Sequence, residues 1–380
     1  MKKETVFTNG KIVTPEEVFT GTLRVSDGAI QDVARGGSGV SQTIDLEGDY
    51  LLPGLVELHT DALERHFVPR PGVRWPETAA VLSHDAAIMA AGITTVFDAL
   101  ALGDTRDNSE RILELDTMAR SVKAARAQGL TRVDHLLHLR CEVCYPDVVS
   151  LFQSFGGEPL VKLVSLMDHT PGQRQFTKLE KFLQYYRGKY SLSEDEAEVL
   201  IRQRKENQMK YGRAHREKIV ELCRQRGLPL ASHDDYTVEH IQEAASEGVV
   251  ITEFPTTLAA ARAARDAGLV ILLGAPNMVM GRSHSGNVSA LELARKGLLD
   301  ILSSDYVPSS LLHGAFQLHR EVGWGLPQAV NLITLNPTRV AGLEDRGALE
   351  PGRQADLIRV REHERTPIIR GVWRKGRQIL

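Results

Sequence analysis

The feature that most limits how this chain can fold is a change of rhythm. Eight short strand-like runs alternate with helical segments, and the whole is enclosed between two stretches that look β-like only. The runs are Leu55 to His59, Thr94 to Ala99, His135 to Glu142, Leu160 to Asp168, Pro229 to His233, Val249 to Phe254, Val270 to Ala275 and Asp300 to Asp305. Helical patterns between them include Glu110 to Ala127, His215 to Arg226, Val238 to Ser246, Leu258 to Ala267 and Ala290 to Lys296. Strands that alternate with helices imply a parallel sheet, because each helix carries the chain back to the same end. Eight such units in about 290 residues match an α/β fold of the closed (β/α)8 TIM-barrel type. A doubly wound open sheet is the alternative; it usually has fewer strands, and no G-x-G-x-x-G follows the first strand.

The flanks read differently. From Thr5 to about Leu51 there are short β pieces, with Asn9-Gly10 and Asp27-Gly28 as hairpin turns. The tail, with Ala355-Asp356-Leu357-Ile358 and Ile368 to Trp373, has the same character. Neither fragment can bury a core alone, so residues 1–52 and 343–380 are expected to join as a small β-sandwich domain beside a barrel of residues 53–342. A long polar insertion at about 170–213 contains Tyr185-Tyr186 and the charge run Glu194-Asp195-Glu196-Ala197-Glu198. The charge run reads as a solvated helical face, while the insertion as a whole would serve as a lid over the barrel mouth or as a homo-oligomer contact.

Composition narrows the function. With 42% hydrophobic and 25% charged residues in 380, the chain reads as an ordinary globular protein. A formal net charge of -3 argues against a nucleic-acid-coating surface, so any anionic ligand must be bound by a local pocket. Met1-Lys2-Lys3-Glu4-Thr5-Val6 has no secretory-type apolar stretch and no segment approaches a membrane span, so no membrane partner and a cytoplasmic location are expected. The three cysteines give no disulfide framework, and Cys141-x-x-Cys144 with only Cys223 besides cannot form a four-thiolate zinc site.

In a (β/α)8 barrel, chemistry sits at the C-terminal ends of the strands. The first strand ends in His59-Thr60-Asp61, the third carries His138, Arg140 and Glu142 in one parity, and the fourth ends at His169. The fifth ends at His233, where parity favours Asp235 over Asp234 as its companion, and the eighth ends at Asp305. His59, Asp61, Glu142, His169, His233 and Asp305 thus form a candidate ligand set for a divalent metal. Burying so many titratable groups without a cation would cost several kcal/mol each. Histidine and carboxylate without thiolate suit zinc, with manganese or iron as alternatives, as one or two ions. His138 lies one step deeper and reads as a core or supporting histidine, and Glu57 deeper still. Two loops add cations: Arg65, His66 and Arg70 among prolines after the first strand, and Arg282 with His284 in a small-residue loop after the seventh. Such loops suit phosphate oxygens.

On these residues the chain resembles the amidohydrolase superfamily. The split β module, Leu52-Pro53-Gly54-Leu55-Val56-Glu57-Leu58-His59, the late Asp305, and Asn336-Pro337-Thr338 leading to Gly347-Ala348-Leu349-Glu350-Pro351-Gly352 carry the likeness. Pro69-Arg70-Pro71-Gly72, Arg140-Cys141-Glu142, Met167-Asp168-His169-Thr170-Pro171-Gly172-Gln173 and Gly274-Ala275-Pro276-Asn277 are similar to the ribose methylphosphonate triphosphate diphosphatases of the carbon-phosphorus lyase pathway. The resemblance implies hydrolysis of the 5-triphosphate of a phosphonylated ribose with release of pyrophosphate. Arg65, His66, Arg70, Arg140, Gln173, Arg282 and His284 would contact this small phosphorylated sugar. It further implies Asp305 as ligand and proton acceptor in attack on the α-phosphorus.

Three departures stand out: the usual His-x-His is His59-x-Asp61, no strand-end lysine is available for a bridging carbamate, and the sixth strand ends in Glu253-Phe254-Pro255 without histidine. Glu142 is expected to take the place of the bridging group, and His169 and His233 to complete the second metal. Lys162, early in its strand, reads as structural. Two rival readings remain at this level: hydrolysis of a carbon-nitrogen bond, and a non-catalytic scaffold.

Overall fold

A computed structural model of the chain describes residues 4–37, 43–104, 110–172, 174, 193–283 and 286–380. The chain begins with β1 (Glu4–Val13), β2 (Val18–Ser26), β3 (Ala29–Arg35), β4 (Ile44–Asp45) and β5 (Tyr50–Pro53). Eight strands then follow with helices between them: β6 (Leu55–Thr60), β7 (Ile93–Leu102), β8 (Asp134–Glu142), β9 (Val161–Met167), β10 (Leu230–His233), β11 (Ile251–Glu253), β12 (Val270–Gly274) and β13 (Ile301–Ser303). They lie side by side in chain order and all pair in parallel, as the strand-helix alternation predicts. Residues alternate along β8: Leu137, Leu139 and Cys141 pack outward with the helices, while Leu136 joins an inner cluster with Phe97, Leu163, Ala231 and Ile251.

Side chains join the last strand to the first. Thr60 bridges Asp305 in parallel register, its Oγ1 donating to the Asp305 carbonyl at 2.6 Å. Ser303 Oγ lies 2.8 Å from Glu57 Oε1 and 2.6 Å from the His59 carbonyl. The fully buried Glu57 carboxylate also accepts the His59 N–H at 2.6 Å. Burial pushes its pKa up against these bonds, so Glu57 acts as a staple at the barrel seam.

The tail adds β14 (Leu357–His363), β15 (Thr366–Arg374) and β16 (Arg377–Gln378), which continue one mixed sheet in the order β16-β15-β14-β5-β1-β2-β3, with β4 on β1. The two ends of the chain meet where Leu52 of β5 faces Ile358 of β14. Phe7 of β1 and Trp373 of β15 lie three strands apart in that order, yet their rings meet edge to face at 5.1 Å. Flat strands are spaced about 4.8 Å apart, so the sheet must fold over on itself to bring them together. The fold encloses Phe7, Leu23, Leu51, Leu357 and Trp373 in a second core, giving a sandwich-like domain from both termini.

Within the insertion, Glu194–Asn207 is helical, capped by Ser193 and Glu196 in a reciprocal capping box. Its acidic run occupies the first turn, where the helix dipole favours negative charge. A π turn, Gln208–Gly212, leads into the helix Arg213–Arg226. Tyr185-Tyr186 lie outside the described residues. All three cysteines are buried free thiols, their pKa values pushed up by burial. No helix among the described residues is long and apolar enough to cross a membrane.

Candidate active site

The C-terminal strand ends surround a cavity of about 540 Å³. His59, Asp61, Arg65, Arg140, Glu142, His169, His233 and Asp305 all line it, from positions at or just beyond the ends of β6, β8, β9, β10 and β13. Three other expected contacts fall elsewhere, and two more lie outside the described residues. His66 is half-buried and turns toward His84, their ring centres 5.5 Å apart, and burial lowers its pKa. Arg70 is exposed in a bridge with Val73, and Arg282 is exposed beyond the lining. Gln173 and His284 lie outside the described residues.

Carboxylates hold the imidazoles from behind. His169 Nδ1 is 2.6 Å from Glu142 Oε2, and the His169 backbone N–H donates to Glu142 Oε1 at 3.1 Å. The Glu142 carboxylate is therefore engaged as a clamp on His169. His233 Nδ1 lies 3.1 Å from Glu253 Oε2 and His59 Nδ1 lies 3.0 Å from Glu253 Oε1. His138 has both ring nitrogens engaged, Nδ1 with the Leu58 carbonyl at 3.0 Å and Nε2 with Ser165 Oγ, and burial holds its pKa down to about 3. It supports the site from below.

With their Nδ1 atoms tied, His169 and His233 turn Nε2 toward Asp234. Asp234 Oδ2 is 3.8 Å from the first and 3.4 Å from the second, and it is buried without a hydrogen-bond partner. Burial pushes the Asp234 carboxyl up to about 7, with His169 and Arg140 pulling the other way. Two ring nitrogens and an orphaned carboxylate oxygen, all within 4.8 Å of one another, fit a divalent ion whose bonds run about 2.0–2.2 Å. The carboxylate and imidazole chemistry, with each ring oriented from behind, is that of a metal site.

Asp234, not Asp235, is the residue beside His233. The reason is local: Asp234 has φ 55, a left-handed conformation that ends the strand and breaks its two-residue alternation. His233 and Asp234 can then both face the cavity. Asp235 points away and is buried among Ser232 Oγ, Thr252 Oγ1 at 2.8 Å and the Arg174 guanidinium. Phe254 after β11 (φ 54) and Asp305 after β13 (φ 51) share the device.

Sequence reasoning also passes over Glu253 and Arg111. Glu253 registers there only as a missing histidine, although a buried glutamate at a strand end is itself a signal. Arg111 sits on a helix with no motif around it. Its Nη2 and Nε lie 2.7 and 3.0 Å from Glu64 Oε2, and it reaches within 4.0 Å of Asp61. Arg140 is 9% exposed and its Nε is buried without a partner. Among the described lining residues, five carboxylates (Asp61, Asp104, Glu142, Asp234 and Asp305) outnumber three guanidiniums (Arg65, Arg111 and Arg140). Added positive charge would therefore favour a polyanion in this cavity.

A second imidazole-carboxylate cluster lies between the barrel wall and the helix Glu77–Ala90. His84 Nε2 and His135 Nδ1 each approach Asp98 at 2.7 Å, and His135 Nε2 lies 3.4 Å from Asp85. Asp85 in turn accepts the Arg132 and Val133 N–H groups at 2.8 and 3.0 Å. These hydrogen bonds tie one helix to β7 and β8 and leave His84 Nδ1 buried without a partner.

An amidohydrolase family model matches residues 50–379, from β5 through the barrel into the terminal strands. The chain belongs to the amidohydrolase family. As an amidohydrolase it is 46% identical, over 98% of its length and 100% of the other protein's, to alpha-D-ribose 1-methylphosphonate 5-triphosphate diphosphatase of Escherichia coli K12. Among solved structures it is similar to the dihydropyrimidinase of Brevibacillus agri, with TM-score 0.64, 11% identity, and 100% and 95% of the two chains covered. The N-acetylglucosamine-6-phosphate deacetylase of Pasteurella multocida gives TM-score 0.62 at 13% identity, covering 99% of each chain. At such identities the structural likeness concerns the amidohydrolase fold alone.

Proposed function

We propose that this chain is a metal-dependent diphosphatase that converts α-D-ribose 1-methylphosphonate 5-triphosphate to the 5-phosphate and pyrophosphate. The observation that carries this reading is the 46% identity to the E. coli diphosphatase over 98% of this chain. The cavity supports it: arginines lining it beside a metal-capable group suit phosphoryl transfer more than a neutral amide. Retention of that group also speaks against a non-catalytic scaffold.

His169, His233 and Asp234 would hold a divalent ion, zinc first by ligand type, while His59, Asp61 and Asp305 border the same space. When bound, the ion would lower the pKa of water and neutralise phosphoryl charge. Asp305 accepts the proton from the water that attacks the α-phosphorus. The bond from that phosphorus to the oxygen bridging to the β-phosphorus breaks, and pyrophosphate departs. Arg140, inside the cavity, holds phosphoryl oxygens, and Arg65, over the Tyr306 ring at 5.6 Å, holds the outer part of the triphosphate.

The test is to supply purified protein with the ribose triphosphate and, separately, with cyclic amides, and to measure pyrophosphate, phosphate and amide products before and after chelation. Pyrophosphate release that chelation abolishes and metal restores is expected. Full turnover after chelation, or amide hydrolysis in its place, would overturn the proposal.

A further inference from the structure

A neutral imidazole has one N–H and one lone pair, and it can offer Nε2 to a metal only while its proton sits on Nδ1. That arrangement needs an acceptor with no hydrogen of its own at Nδ1. Glu253 provides it for two rings at once. Its Oε1 faces His59 Nδ1 at 3.0 Å and its Oε2 faces His233 Nδ1 at 3.1 Å. The two rings lie nearly parallel, 16° apart in plane with centres at 5.5 Å, and both line the cavity. The carboxylate is fully buried at the last position of β11, with Ser165 Oγ 2.8 Å from Oε2.

We propose that Glu253 is a positioning residue that fixes the tautomers of His59 and His233 together, so that both present Nε2 to the cavity. This rests on the reading of His233 as a metal ligand. A single carboxylate thus sets the metal-binding state of two strand ends, β6 and β10. Glutamine is the telling substitution because it keeps the shape. Its amide can accept from one ring only; its NH2 must face the other, which then has to accept at Nδ1 and carry its proton on Nε2, where it blocks a metal.

Nitrogen-15 spectra of histidine-labelled metal-free protein at pH 8, with signals assigned by loss in His59→Asn and His233→Asn, read the tautomers directly. Both rings are expected as Nδ1–H in the parent protein, and one is expected to switch to Nε2–H in Glu253→Gln. Zinc affinity, measured by competition with a chelator, should fall about 10–100-fold in Glu253→Gln, the usual cost of losing an orienting partner. An Nε2–H ring in the parent protein, or unchanged zinc affinity in a folded Glu253→Gln, overturns the proposal. Should that variant not fold, the parent spectra decide alone. His233→Asn separates the two layers: zinc retained there defeats the metal reading itself, whereas zinc lost there but kept in Glu253→Gln defeats only the role of Glu253.

Discussion

Asp234 Oδ2 lies 3.4 Å from His233 Nε2, although the two residues are neighbours in a chain whose strands should turn them to opposite faces. The left-handed backbone at Asp234 makes the contact and leaves its oxygen without a hydrogen-bond partner. Asp234→Asn keeps the shape and removes the charge. Bound metal per chain, measured after dialysis, is expected to fall at least tenfold, with turnover falling in step. Unchanged metal content would show that Asp234 is not a ligand.

Arg140 gives a prediction about substrate. A hydrogen bond between a guanidinium and a phosphoryl oxygen contributes roughly 1.5–3 kcal/mol, so Arg140→Gln should raise KM for the triphosphate by about 10–100-fold. Metal content should stay as in the parent protein. A variant with unaltered KM would place the triphosphate elsewhere in the cavity.

The His84-Asp98-His135-Asp85 cluster predicts sensitivity to alkali. Burial pulls the His135 pKa down, but Asp98 and Asp85 outweigh it and raise the value to about 9, against 6.5 for an ordinary histidine. The folded state therefore holds its proton more tightly than the unfolded state. This stabilisation is complete below pH 6.5 and disappears as pH rises through 9, a contribution on the order of 3 kcal/mol. Urea unfolding followed from pH 6 to 9.5 should show the decline, and His135→Gln should flatten it. A stability curve equally steep in both proteins would assign the alkaline loss to other groups.

Trp373 tests the small domain. If its contact with Phe7 closes the folded-over sheet, Trp373→Ala should cost about 3–5 kcal/mol in chemical unfolding. The protein that remains folded should turn over substrate at the parent rate. A cost under about 1 kcal/mol would mean that the contact adds little.

Much of the barrel is legible in the sequence because buried parallel strands read as apolar runs with polar residues gathered at one end. The strands expected at Val270 to Ala275 and Pro229 to His233 differ from the observed Val270–Gly274 and Leu230–His233 by a residue at an end. Parity fails at Asp234, because a left-handed aspartate leaves no mark in composition and reverses the facing of all that follows. That Glu142 and Glu253 face imidazole nitrogens is illegible for another reason: a carboxylate beside a metal and one beside a ring nitrogen look alike until distances are known. Loop arginines show the limit of proximity in sequence. Arg65 reaches the cavity while Arg70, five residues on, is turned to solvent, and Arg111 arrives there from another helix.

The side-chain seam between β6 and β13, like the pairing of β5 with β14, joins segments made far apart in synthesis. Thr60 and Glu57 leave the ribosome early and find Asp305 and Ser303 only some 240 residues later. Until then the growing chain carries an open parallel edge and an unfinished small sheet, surfaces that invite wrong pairing. For this chain, ribosome arrest or truncation before the last strands would yield an aggregation-prone product.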